Sequence, residues 1–433
     1  MRDTSARGFL PRRKLLASLA AGLASLAMSL IASPSEAPAG QPRHLMGISG
    51  ARIPAPAQPP AKSPPHRMRI FRARALTGDS SFVAAPDASQ PVSPSFYGLN
   101  AQALFGLPPS QWDAQLTKLA ATGVGTVRFD TGWGGVEPRP PSEGVHDYNW
   151  TRLDQVVAAL ARHHLQGLPI IDYAAPWAES DAYGTEPGFS PPADPNTYAS
   201  FARAVAIRYG PGGAFWAQNP ALPAMPMNQY EIWNEENSDH FFHGTSAALY
   251  ASLYADARNE IHDVDPAATV LVGGLVPTQN AIGWLNKLIE ALPSHGHEID
   301  AIGWHPYYST SRETYKSLRA LNSDLAAHSL DPPIVLTEVN SPEASSQAPL
   351  LHELAETLPR SGCNVSGMIV HTWSPPPDGE GETPYAIADP VGELNGAGLA
   401  YSSAVQAAET TEIHSMLPIC RTPTLIRRMS GSS

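Results

Sequence analysis

The chain has 433 residues, 42% of them hydrophobic, which is enough for one large domain or two of ordinary size. Its charge is unevenly distributed: residues 1–74 hold twelve Lys/Arg and two acidic residues, whereas residues 75–433 hold sixteen Lys/Arg and 38 Asp/Glu. Because such an acidic body repels phosphate, the composition argues against a nucleic-acid partner and against binding to an anionic membrane.

The N-terminus has the pattern of an export signal. A basic cluster at 12–14 precedes an uncharged apolar run over 15–32, and the small residues Ser35 and Ala37 follow with the spacing of a cleavage site. We predict a signal peptide over 1–37, a secreted or periplasmic protein, and no stable membrane insertion after cleavage. An uncleaved anchor stays open, since eighteen apolar residues can just span a bilayer.

Two segments of different character follow the signal. Residues 38–66 are rich in Pro and Ala and hold few bulky apolar residues, so they predict a disordered linker. Residues 67–91 form an N-terminal extension. Within it the apolar residues of 68–76 alternate as in an edge strand, although its basic charge could also continue the linker.

From residue 92 to residue 420 the apolar pattern switches eight times between a short buried run and a longer amphipathic segment. The first amphipathic segment predicts a helix with Ser110 as its N-cap. The apolar runs, each read as a strand, are SFYGLN, GTVRFDTGW, GLPIIDYA, NQYEIWNE, TVLVGGL, DAIGWHPYY, PIVLTEVN and SGMIVHTW.

Eight strand–helix pairs predict the α/β class and, within it, a (β/α)8 TIM barrel. Nearly continuous apolar strands are typical of a parallel sheet that is covered on both faces, and eight βα units can close on themselves. An open doubly wound sheet is the alternative, but the Gly-rich phosphate loop of its nucleotide-binding form does not follow the first strand. We assign the barrel to 92–420 and a C-terminal tail to 421–433.

Polar residues occur at the carboxyl end of nearly every predicted strand. In a TIM barrel these ends share one face, where active sites lie. We therefore expect the side chains to meet in one bowl. They are Asn100, Arg128, Asp130, Asp172, Asn234, Glu235, His305, Tyr307, Glu338, His371 and Trp373.

The same topology brings the two cysteines together. Cys363 precedes the eighth strand and Cys420 follows the eighth helix, so both fall on the barrel floor. An even pair of cysteines in an exported protein favours a disulfide over two free thiols. We predict a Cys363–Cys420 disulfide.

Two glutamates have the placement that glycosidic-bond hydrolysis needs. One acid must protonate the leaving oxygen, and one carboxylate must attack or stabilise the anomeric carbon. Glu235 ends the fourth strand and Glu338 ends the seventh, so they can face each other across the bowl.

At these positions the sequence resembles the retaining glycoside hydrolases of clan A. EIWNEEN (231–237) is similar to their fourth-strand acid/base motif, and VLTEVN (335–340) to their seventh-strand nucleophile motif. The likeness extends over about 92–417 and is closest to family 39, with the cellulase-like family 5 second. TVRFD, DYAAPWA, WHPYY and the eighth-strand HTW also match.

The resemblance implies that Glu235 is the general acid/base and Glu338 the nucleophile. Arg128 and Tyr307 would hold Glu338 ionised, which leaves the proton on Glu235. Glu236 would point away from the reacting atoms. It stands where the family usually has Pro, so an added charge there could raise the pKa of Glu235 or favour a cationic substrate.

The resemblance also implies a set of substrate-binding residues. Asn234 would bond the sugar 2-hydroxyl, His305 would lie near the acid/base, and Trp373 would form the floor under the ring. Asp172 and Trp177 are further candidates for sugar binding, although a satisfied polar group and a packed rim aromatic explain them equally well.

Other residues and functions stay open. Glu231 is expected to be structural and paired with an Arg, whereas a functional role for His371 is undecided. A metal-dependent hydrolase and a non-catalytic carbohydrate-binding barrel in exopolysaccharide handling are the rival functions. The expected protein is a monomer that acts on a poly- or oligosaccharide, without cofactor or metal.

Overall fold

The computed structural model describes most of the predicted barrel. The predicted signal peptide, the linker, all of the extension except Pro91 and the C-terminal tail lie outside the described residues. The residues that the structure describes are 91–181, 188–277, 280–377, 381–410 and 419–420.

Eight parallel strands close into a barrel within these residues. Each strand pairs with its neighbours in sequence, and β1 pairs with β8. This closure confirms the (β/α)8 TIM barrel and excludes the open sheet. The strands are β1 Tyr97–Asn100, β2 Thr126–Asp130, β3 Gln166–Ile171, β4 Gln229–Ile232, β5 Thr269–Leu275, β6 Ala301–Trp304, β7 Ile334–Val339 and β8 Val365–Val370.

Eight principal helices surround the barrel in the described part of the chain, and none is both long enough and apolar enough to cross a membrane. The first begins at Trp112 and not after Ser110, because Ser110 lies in a 3-10 turn, Pro109–Gln111. They are α1 Trp112–Ala120, α2 Thr151–Arg162, α3 Pro195–Tyr209, α4 Ala247–Val264, α5 Ala281–Ala291, α6 Ser311–Ala327, α7 Ala344–Thr357 and α8 Gly396–Thr410.

The barrel interior changes from apolar to polar along its axis. A small buried cluster of Leu168, Leu271, Ala301, Val335 and Ile369 is separate from the large core between strands and helices. The charged side chains of Arg128 and Glu231 are also buried, and the sheet register pairs Arg128 with Leu168 and Glu231 with Leu271, so the polar groups lie next to the apolar cluster. The apolar layer fills the barrel, as is usual for the fold, and supports the polar layer above it.

A disulfide ties the chain to the barrel floor. Cys363 and Cys420 are bonded, and their Cα atoms are 4.7 Å apart. Cys363 directly precedes β8 at the amino end of the barrel, so the bond lies on the face opposite the polar strand ends. The pairing predicted from the topology is present.

Candidate active site

Glu338 lies near the end of β7 and is surrounded by hydrogen-bond donors. Arg128 Nη1 donates to its Oε1 at 2.7 Å, and the Tyr307 hydroxyl donates to its Oε2. Burial alone would raise the pKa of the Glu338 carboxyl, but the neighbouring His305 and His371 imidazoles, the Arg128 guanidinium and the Tyr307 hydroxyl together hold it well below its ordinary value. Glu338 is therefore an anion at neutral pH.

Arg128 is the centre of a buried polar network. Its Nε donates to Glu231 Oε2 at 2.5 Å and its Nη2 donates to Asn234 Oδ1 at 2.8 Å, in addition to the bond with Glu338. All of these side chains are almost fully buried. A guanidinium fork that is bonded on three sides has one orientation, so Glu231 has the structural role that was expected of it.

Glu235 lies just beyond the end of β4, where the backbone turns sharply. Trp233 and Glu235 have φ values of 66° and 51°, in the left-handed region that non-glycine residues rarely adopt and that is common at functional sites. The turn brings Glu235 Oε1 within 2.8 Å of His305 Nδ1, and His305 Nε2 lies 3.0 Å from Thr337 Oγ1. His305, which follows strand β6, thus positions the Glu235 carboxyl.

The electrostatic surroundings of Glu235 are opposite to those of Glu338. Burial, together with the negative charge of Glu338, raises the pKa of the Glu235 carboxyl well above its ordinary value. Burial lowers the pKa of His305 to about 3, so its imidazole is neutral at physiological pH. Glu235 consequently holds its proton beside a neutral partner.

The two carboxyl groups stand close enough to act on one bond. An oxygen of Glu235, an oxygen of Glu338 and a nitrogen of His305 all lie within 4.8 Å of one another. These atoms are also ligand types that a metal ion accepts. However, Arg128 and Tyr307 already occupy both oxygens of Glu338, and the guanidinium would repel a cation, so the donor set fits an acid–nucleophile pair better.

Glu236 does not face the cleft. Its carboxyl is fully buried beside Tyr250 and over Gly273, where any added side chain would collide with it. Burial raises its pKa well above the ordinary value, which favours the neutral carboxyl. The expected orientation away from the reacting atoms is present, but the alternative that Glu236 contributes charge to a substrate subsite is wrong.

Two of the predicted sugar-binding aromatics are placed elsewhere. Trp373 is fully buried, and its Nε1 donates to Gln115 Oε1 on α1 at 2.9 Å, so it cannot form the floor under a sugar. Trp177 is half-buried; its Nε1 donates to the Glu137 carbonyl at 2.7 Å, and its ring packs edge-on against Trp133. Both have packing roles that a strand-end pattern cannot distinguish from binding.

A small pocket of about 60 Å³ lies beside Glu338; we call it the catalytic pocket. Asn234 lines it, as does His371, whose Nε2 bonds Glu382 and whose Nδ1 lies 3.6 Å from Glu338 Oε2. Burial opposes protonation of His371, but the negative charges of Glu382 and Glu338 outweigh it and raise the His371 pKa. Glu382 comes from the loop after β8, so no strand-end signal could have indicated it.

A second cavity, of about 360 Å³, adjoins the catalytic pocket. Gln102, Asp130 and Tyr173 line both, and the rest of the second cavity is formed by Phe105 and by the segments that follow β2 and β3. We call it the β2–β3 cavity. The predicted residue Asp172 lines it, where its Oδ1 accepts hydrogen bonds from the backbone amides of Thr131 (3.1 Å) and Gly132 (3.2 Å).

Several solved structures that resemble this chain in fold are glycoside hydrolases. The GH39 enzyme from Xanthomonas axonopodis pv. citri superposes with a TM-score of 0.56 at 19% identity, over 76% of this chain and 71% of that one. A monomeric β-xylosidase from Caulobacter crescentus CB15 gives 0.55 at 19% identity, over 74% and 69%. The endo-1,4-β-mannanase from Rhizomucor miehei gives 0.51 at 16% identity, over 73% and 95%.

These comparisons concern the fold alone, and they agree with the resemblance seen in the sequence motifs. No protein-family model matches the chain, and no curated protein matches it either. The architecture is therefore a TIM barrel, and GH39 enzymes are among the structures that it resembles in fold.

Proposed function

We propose that the protein is a retaining glycoside hydrolase that cleaves O-glycosidic bonds by double displacement. The observation that carries the proposal is the pair of buried carboxyl groups that bring one oxygen each within 4.8 Å, one group with a raised pKa and the other with a lowered pKa. Retaining enzymes place these groups about 5–5.5 Å apart, whereas inverting enzymes leave roughly 6.5–9.5 Å for a water molecule.

In the first step, the Glu338 carboxylate attacks the anomeric carbon and Glu235 gives its proton to the departing oxygen. The bond to the leaving group breaks as the ester to Glu338 forms. That ester removes the negative charge of Glu338, so the pKa of Glu235 falls and it can act as a base. In the second step, Glu235 takes a proton from water, which attacks the anomeric carbon and releases Glu338.

Arg128 and Tyr307 support this cycle by keeping the nucleophile ionised in a buried site. They can also stabilise the carboxylate as it departs from the sugar in the second step. The remaining parts of the proposal concern the biological setting: a monomeric protein, exported by the N-terminal signal, that acts on a poly- or oligosaccharide. The presence of both carboxylates supports hydrolysis over the non-catalytic sugar-binding barrel.

The test is hydrolysis of a panel of aryl β-glycosides with a good leaving group, followed by a polysaccharide panel. Proton NMR during the first minutes identifies the anomer that is released. We expect the β-anomer first, with slow mutarotation afterwards. First release of the α-anomer would contradict the retaining mechanism, and no hydrolysis of either panel would favour the sugar-binding barrel.

A further inference from the structure

We propose that the β2–β3 cavity is a second glycone subsite, which binds a neutral sugar residue attached to the one that is cleaved. The inference rests on the proposed hydrolase function and specifies its substrate: a glycan in which at least two linked sugars lie on the non-leaving side of the scissile bond. Four features of the cavity support this assignment.

The first feature is its position relative to the two glutamates. Glu338 and Asn234 line the catalytic pocket, so the sugar under attack occupies it. The acid Glu235 is turned toward His305 of the β6 side, and the leaving group must depart past it. The β2–β3 cavity opens from the other side of the pocket, through Gln102 and Asp130, which is where the glycone continues.

The second feature is size. At about 360 Å³, the cavity is about six times larger than the catalytic pocket and falls within the range of roughly 300–1,000 Å³ that is usual for ligand sites. A single sugar ring bound in the catalytic pocket would leave this adjoining volume unfilled. A second ring attached through the shared wall would fill it.

The third feature is the chemistry of the walls. Phe105, Phe189, Val136, Pro138 and Pro176 give the cavity a predominantly apolar lining, which suits the C–H faces of a sugar ring. Gln102, Asp130 and Tyr173 place polar groups at the junction with the catalytic pocket. This combination of an apolar surface with a few placed polar groups is typical of sites for small uncharged ligands.

The fourth feature is the pair of carboxyl groups at that junction. Asp130 and Asp172 both line the cavity, and Asp172 Oδ2 is buried there without a hydrogen-bond partner among the described residues. Burial raises the pKa of Asp130 to about 6, and burial together with the charge of Asp130 raises that of Asp172 well above its ordinary value. Such a pair can both donate to and accept from sugar hydroxyls.

The charges also select against an acidic sugar. The carboxyl pair at the entrance would repel a uronate carboxylate. Arg152, at the helix α2 wall, is not positioned as a counter-ion: its guanidinium donates to the carbonyls of Phe105 and Leu107 and stacks over Trp112 at 4.4 Å. The cavity therefore fits a neutral hexose or pentose.

The experiment compares matched pairs of 4-nitrophenyl β-glycosides: xyloside with xylobioside, glucoside with cellobioside, and mannoside with mannobioside. A second ring in the subsite makes several hydrogen bonds, each worth a factor of about 2–10, so we expect the disaccharide of the preferred pair to show a kcat/KM at least about 10-fold higher than its monosaccharide. The ratio within a pair is the quantity to follow, because it cancels effects on the chemical step.

Gly135→Leu fills the cavity without touching the catalytic groups. Gly135 lines the cavity, is exposed, and a Cβ built on it meets no atom within 4 Å. We expect the ratio to fall to about 1 while the monosaccharide rate changes by less than about twofold, since Gly135 makes no contact with the reacting sugar. Gly396→Leu is the matched control, because Gly396 is also exposed and unobstructed but lines neither cavity.

Asp172→Asn tests the polar contacts separately. The amide oxygen can still accept from the Thr131 and Gly132 amides, so the loop is retained, but the unpartnered Oδ2 becomes an amide nitrogen that cannot accept from a sugar hydroxyl. We expect the ratio to fall about 2- to 10-fold, the effect of one hydrogen bond.

The outcomes separate the two proposals. Hydrolysis with equal rates for mono- and disaccharides, or a ratio that Gly135→Leu leaves unchanged, overturns the second subsite and leaves the hydrolase function intact. No hydrolysis of these substrates or of the polysaccharide panel overturns the hydrolase function, and the subsite with it.

Discussion

The two sides of the catalytic cleft surround their carboxyl groups with opposite chemistry. On the β7 side, Glu338 accepts hydrogen bonds from the Arg128 guanidinium and the Tyr307 hydroxyl. On the β4 side, Glu235 faces a neutral His305 and the negative charge of Glu338 itself. The difference supports the different roles that we propose for these two identical side chains, because the fold shifts their pKa values in opposite directions.

The largest expected effect is on the β7 side. Glu338→Ala removes the nucleophile, and loss of a nucleophile costs on the order of 10⁴ to 10⁶ in kcat in well-studied hydrolases. Azide can occupy the vacated space and attack directly, so we expect rescue that gives the glycosyl azide of inverted configuration. A glycosyl azide of retained configuration would contradict the assignment of Glu338 as the nucleophile.

Glu235→Ala is expected to reduce activity less, by about 10² to 10⁴, the usual contribution of general acid–base catalysis. The loss should be small for a dinitrophenyl leaving group, which needs no proton, and large for an alkyl one. Azide should now act in the second step and give the glycosyl azide of retained configuration. An equal loss with both leaving groups would show that Glu235 is not the acid.

Tyr307→Phe removes one donor to the nucleophile and leaves the ring. A hydrogen bond to a charged group contributes about 1.5–3 kcal/mol, so kcat/KM should fall roughly 10- to 150-fold. Because the donor stabilises the Glu338 carboxylate, its loss raises the Glu338 pKa, and the acidic limb of the kcat/KM profile moves to higher pH. A limb that stays in place, or moves to lower pH, would contradict this assignment.

Glu236→Gln has the smallest expected effect, although it alters the neighbour of the acid. The Glu236 carboxyl is buried and neutral, and an amide of the same shape is also neutral. We expect the basic limb of the pH profile, which reports Glu235, to shift by less than about half a pH unit. Asn237→Asp provides the contrast, since it adds a carboxylate at the next position. A shift for Glu236→Gln of a full pH unit would mean that Glu236 is ionised.

Much of the fold was predictable because its signals are local and repeated. Eight short apolar runs that alternate with amphipathic segments define the barrel, and the topology then places Cys363 and Cys420 on one floor and Glu235 and Glu338 in one bowl. The contact of Arg128 with Glu338 also followed from strand ends and resemblance. These predictions need only the direction of each strand.

The predictions that were wrong depended on side-chain directions beyond a strand end. The alternation of inward and outward side chains along β8 ends at Val370, three residues before Trp373. It therefore could not show that the Trp373 side chain points to Gln115 of α1. The left-handed φ at Glu235 likewise turns the chain so that the next side chain, Glu236, is buried over Gly273. Glu382 enters the pocket from a loop, for which no periodic pattern exists.

The most direct test of the account is to trap the covalent intermediate. A 2-deoxy-2-fluoro β-glycoside of the sugar that is cleaved, with a dinitrophenyl leaving group, slows the second step more than the first. Mass spectrometry of the digested protein should then find one fluorosugar on the peptide that contains Glu338. A label on the Glu235 peptide, or turnover with no adduct and release of the inverted anomer, would contradict the division of roles between the two sides of the cleft.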